Sequence, residues 1–119
     1  MAERRVEVLF EDRESLMQGL RRLTDGETAQ PRTAPGAAQR LGPHYLKAVV
    51  APSGMLAGAI IDCGDDAALV MKSLAAGWRR VAFAGSPALA GKLAAHAEQW
   101  QAALLHRAPR PPRIEKANP

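Results

Sequence analysis

"AGAIIDCGDDAALVMKSLAAGWRRVAFAG", residues 57–85, decides how the rest of the chain is read. An apolar run ends in the cluster Asp62, Cys63, Gly64, Asp65 and Asp66. A segment of helical period follows over 65–76, and Gly77 closes it before a second apolar run at 78–85. Short apolar runs bounded by glycine read as strands, and the 3.6-residue period between them reads as a helix. The chain then repeats the move: Gly85 turns, Ser86 is placed as an N-cap, and Pro87 takes the first helical position, where its missing N–H costs nothing. Two consecutive strand-helix units, 57–76 and 79–106, therefore predict an α/β protein whose strands are parallel neighbours.

Upstream, "RRVEVLF" at 4–10 alternates, with Val6, Val8 and Phe10 on one side and Glu7 and Leu9 on the other, which predicts the first strand. "DRESLMQGLRRL" then spaces Leu16, Leu20 and Leu23 helically, with Asp12 as N-cap and Gly26 just past the end. Residues 24–43, rich in proline and glycine and without period, read as a long flexible loop with one helical turn at 37–41, a surface insertion or a lid. "HYLKAVVA" at 44–51 and "MLAGAIIDC" at 55–63, split by Pro52-Ser53-Gly54, read as two strands of a hairpin. The stripe Leu89, Leu93, Ala97, Trp100 and Leu104 predicts one long helix to residue 106, and the Pro/Arg-rich tail 107–119 reads as disordered or polyproline-like.

The predicted order is β-α-β-β-α-β-α in a single domain, 1–106, with a mixed or mostly parallel sheet of about four strands and helices packed on it. A ferredoxin-like split β-α-β with an extra C-terminal helix, its first strand inserted between the last two, satisfies the same order. The succession "AALVMKSLAAGWRRVAFAG" resembles the β/α repeat of many barrel and flavodoxin-like proteins, which implies a fold and no activity.

Composition removes several function classes. The chain has 119 residues, is 47% apolar and 24% charged, and contains no apolar run long enough to span a membrane. Its start lacks a signal-peptide pattern, so a cytoplasmic location is expected. Cys63 is the sole cysteine, which excludes an intrachain disulfide, and His44, His96 and His106 lack metal-ligand spacing. The net charge of +4 comes from scattered arginine pairs with only 4% aromatics, so nucleic acid is a disfavoured partner.

If the two units are parallel, Asp62-Cys63-Gly64 and Gly85-Ser86 share the carboxyl edge of the sheet, where open α/β sheets bind ligands. Gly64, Gly85 and Ser86 are the candidate ligand-binding residues, because free N–H groups backed by a helix dipole suit a phosphate or carboxylate. Asp65 is read as the cap of the 65–76 helix with Asp66 in its first turn, while Asp62, ending an apolar strand, needs a partner or water. Asp62, Asp65 and Asp66 are the candidate ligands for Mg²⁺, as hard cations take oxygen. Asp62 as a general base and Cys63 as a nucleophile are the catalytic candidates, although the acids flanking Cys63 oppose thiolate formation and burial is the plainer role.

The reading that leads is a small non-enzymatic binding or regulatory module with an anion-accepting strand-end edge. It is expected to be a homodimer, because the 65–76 helix carries a wide apolar face that calls for cover on more than one side. An enzyme acting on a small phosphorylated or carboxylated metabolite through Asp62 is the second reading, and a nucleic-acid-associated basic protein the third.

Overall fold

The computed structural model describes residues 4–107. Its strands are β1 (Arg4–Phe10), β2 (Glu27–Thr33), β3 (Ile60–Asp62), β4 (Arg80–Phe83) and β5 (Ala103–His106). The helices are α1 (Arg13–Arg21), α2 (Ala37–Leu41), α3 (Pro43–Val50), α4 (Ala67–Ala75) and α5 (Pro87–Gln99), with two short 3-10 turns between α3 and β3. The five strands form one sheet in the order β1-β2-β3-β4-β5, and every pair is parallel. The α/β class holds, and the sheet is wholly parallel with no split β-α-β arrangement.

Strand order equal to chain order has a consequence for layering. In such a sheet, crossovers of constant hand bring every helix to the same face. α1 packs on α3, α3 on α4 and α4 on α5, giving a single helical layer. Val8, Phe10, Ile61, Cys63, Val81 and Phe83 point into that layer and belong to one continuous core with Leu46, Val50, Leu74 and Trp78. Gly19 brings α1 close to β1, since a Cβ there would collide with Val8. At the amino end of the sheet, the buried Trp78 indole N–H donates to the Pro43 carbonyl (3.0 Å), and Lys47 donates to the Ala76 carbonyl at the end of α4 (2.8 Å).

Three sequence expectations are corrected. Residues 24–43 are not one long loop: they hold the strand β2, followed by the helical turn expected at 37–41, which is α2. β2 was hidden because its sequence, ETAQPRT, is polar and contains a proline. Pro31 is tolerated because β3 starts pairing only opposite Arg32, so a lost ladder donor below that level breaks little. Residues 44–51 are not half of a hairpin: α3 places Leu46 and Val50 one turn apart on its buried face, with Pro43 in its first turn. The last helix stops at Gln99, where Gln101 adopts a left-handed backbone (φ 57°), and the chain re-enters the sheet as β5. Leu104 thus lies on a strand, and Trp100 is exposed. The expectation for 107–119 falls, beyond Arg107, outside the described residues.

The breadth of the α4 apolar face is also accounted for within the chain. Leu69, Val70 and Leu74 are buried between α3, α5 and the sheet, leaving Met71 as the exposed large apolar side chain of this helix. Among the described residues, no helix is long and apolar enough to cross a membrane.

Candidate functional site

The carboxyl ends of β2, β3, β4 and β5 enclose a cleft of about 220 Å³ on the side away from the helices, lined by Arg32, Asp62, Ala82, Phe83, Ala84, Leu105, His106 and Arg107. Alternation along the strands explains the lining. Asp62 and Ala82 are register partners, as are Ala82 and Leu105, so the three share the face opposite the core. Larger furrows exist, notably one of about 360 Å³ between α1 and the unpaired edge of β1, but no strand-helix junction opens into it.

Asp62 has the partner that its position demanded. Arg32 donates to its Oδ2 (2.9 Å), and the Gly64 backbone N–H donates to its Oδ1 (3.0 Å). Both side chains are about one-fifth exposed, and Glu7 reaches Arg32 from β1 at 3.7 Å. The Asp62 N–H donates to the buried Thr33 hydroxyl (2.9 Å), so a side chain continues the β2-β3 pairing where the register ends. Arg32 was missed in the sequence because it sits in the segment read as a loop.

His106 enters the site through β5. A carbonyl only accepts, so the contact of His106 Nε2 with the Gly85 oxygen (2.8 Å) places the proton on Nε2 and leaves Nδ1 as the other ring nitrogen. Its ring stacks on Phe83 with centroids 6.2 Å apart. Gly85 is required by close approach, since a Cβ there would run into the Phe83 ring. Arg107 follows, exposed and without an ion pair among the described residues.

The remaining candidates take other roles. Cys63 is fully buried, its sulfur 3.5 Å from the Ser73 hydroxyl. Burial pushes its thiol up to about 12; the Ser73 hydrogen bond opposes this, and the Asp62 and Asp66 charges add to it. That is the reverse of what a nucleophile needs. Asp66, not Asp65, caps α4, accepting from the Leu69 N–H (3.0 Å), while Asp65 is exposed one residue earlier. Asp62, Asp65 and Asp66 do not converge as an Mg²⁺ site: among the described residues no three His, Cys, Asp or Glu side chains form a metal-binding group. Ser86 caps α5 by accepting from the Leu89 N–H (3.3 Å). Gly64, Gly85 and Ser86 border the strand ends, and of the sequence candidates only Asp62 lines the cleft.

No protein-family model matches the chain, and neither a curated protein nor a solved structure matches it significantly.

Proposed function

We propose that the chain is a small binding module that accepts a phosphate or carboxylate at the carboxyl edge of its sheet. The observation that carries this reading is the convergence of Arg107, His106 and the Arg32-Asp62 pair around one cleft with apolar walls. Arg32 neutralises Asp62, so the charge left to meet a ligand is that of Arg107, with His106 lining the strand end next to it. Binding is favoured over turnover because both Asp62 oxygens are already engaged and Cys63 is sealed in the core.

A thermal-shift series with inorganic phosphate, phosphorylated metabolites and small carboxylates tests it. A ligand held at a hundred times its Kd stabilises the folded state by about 2.7 kcal/mol. The expected result is a concentration-dependent rise in Tm that is lost in Arg107→Ser and His106→Ala. No rise, or a rise that both variants retain, refutes the site.

A further inference from the structure

The face of the sheet opposite the helices has no covering layer among the described residues. Parallel sheets are almost always covered on both faces, because their strands are apolar on both. This one is half apolar on its open side. In register across it run Leu9, Arg32, Ile60, Arg80 and Ala103, with Asp62, Ala82 and Leu105 in the next row. Leu9 is 48% exposed, and Ile60 and Ala82 stand outside the core cluster although little of either meets solvent. Arg5, Arg80 and Arg107 border this apolar strip with no ion pair among the described residues, and Arg32 alone answers Glu7 and Asp62.

We infer that this face docks an acidic amphipathic helix of a partner protein. Charge decides the sign of the occupant: the cations around the strip outnumber the acids, so a second copy would set like charge on like charge, whereas glutamates flanking an apolar stripe would pair with Arg5 and Arg80. Size decides its scale. Five strands at about 4.8 Å spacing and a common height of about 13 Å give a flat face of roughly 300 Å². That falls well short of the roughly 800 Å² per partner of a standard interface. A single helix, about 10–12 Å across, fits within it and matches the element that covers such sheets elsewhere. The docking face shares Arg32, Asp62, Ala82, Leu105 and Arg107 with the carboxyl-edge cleft, so a helix seated there competes with an anion held in the cleft.

The test is titration of the isotope-labelled protein with a stapled helical peptide carrying leucines at i, i+3, i+4 and i+7 and glutamates on its flanks, read by backbone amide NMR. A twin with lysine for glutamate and free glutamate serve as controls. The expected result is saturable movement of the Arg5, Leu9, Ile60, Arg80 and Leu105 signals, absent with both controls. Binding should weaken at least tenfold in Leu9→Asp and in Arg5→Glu/Arg80→Glu. Any of the following overturns the proposal: no movement up to millimolar peptide, movement confined to the helical layer, equal binding of the lysine twin, or concentration-dependent self-association that shifts these same residues without peptide. Displacement of the peptide by an oligonucleotide that binds this face more tightly would reassign it to nucleic acid and overturn it likewise.

Discussion

The two faces of the sheet have been built by different rules. Toward the helices, Val8, Phe10, Ile61, Val81 and Phe83 alternate into a continuous core, and the polar groups there are satisfied one by one, as Thr33 and Ser73 show. Away from the helices the alternate positions mix Leu9, Ile60 and Ala82 with Arg32, Asp62 and Arg80. The continuous core therefore lies on one face, and the other mixes apolar and charged side chains. In a doubly covered sheet both faces are committed to packing, and a ligand is confined to a crevice at the strand ends.

The sharpest way to break this contrast is to cut one large apolar side chain to alanine on each side. Phe83→Ala should cost about 3–5 kcal/mol in urea unfolding, since it empties the core and removes the ring beneath His106. Leu9→Ala, already half exposed, should stay within about 0.5 kcal/mol. Comparable losses from both would mean that the open face is structural.

Thr33→Val ranks next. It keeps the shape but withdraws the acceptor from the Asp62 N–H, and an unsatisfied buried donor costs about 1–3 kcal/mol. Amide exchange at Asp62 should accelerate with it.

Cys63 extends the comparison to pH. Its folded thiol holds its proton up to about 12, whereas the unfolded thiol ionises near the ordinary cysteine value of about 8.5. Above that value the unfolded state binds fewer protons, so stability must fall with rising pH, by at most about 1.4 kcal/mol per pH unit. Unfolding curves at pH 9 and 10 for the wild type and Cys63→Ala should diverge in slope, and the native thiol should resist alkylation at pH 8.

A modest effect is expected at the ion pair of the open face. Arg32→Ala should cost about 1 kcal/mol and do so less at high salt, because the Arg32-Asp62 pair is partly solvated. A loss several times larger, insensitive to salt, would show that the pair anchors the β2-β3 seam.

Legibility from sequence follows the same division. β1, α1, α4 and the cap of α5 were readable because an alternating or helical period coincided with a capping residue, Asp12 and Ser86 among them. β2 was not, since its sequence is polar and carries Pro31, which is tolerated there because β3 pairs only opposite Arg32. α3 was misread because its β-branched Val49 and Val50 mimic a strand, while the determining Leu46 to Val50 spacing fits either. β5 was absorbed into a helix whose period Leu104 happens to continue. The candidate site inherited those errors: Asp62 was singled out for needing a partner, but Arg32 and His106 lie on the two strands that local pattern concealed.

Strand order identical to chain order bears on how the molecule comes to exist. Each strand pairs with the one made just before it, and the widest sequence gap bridged by a register pair is that from Arg32 to Ile60. No strand waits for a distant partner, so a nascent chain emerging from the ribosome can add one β/α step at a time onto a growing edge, with little loop-closure entropy lost at each. β5, the last described strand in chain order, carries His106 with Arg107 directly after it, so these two cleft residues take their places only once β4 is there to pair with. The cleft thus draws on an early step of this ladder through Arg32 and on its last described step through Arg107, and is complete only when the steps between them are.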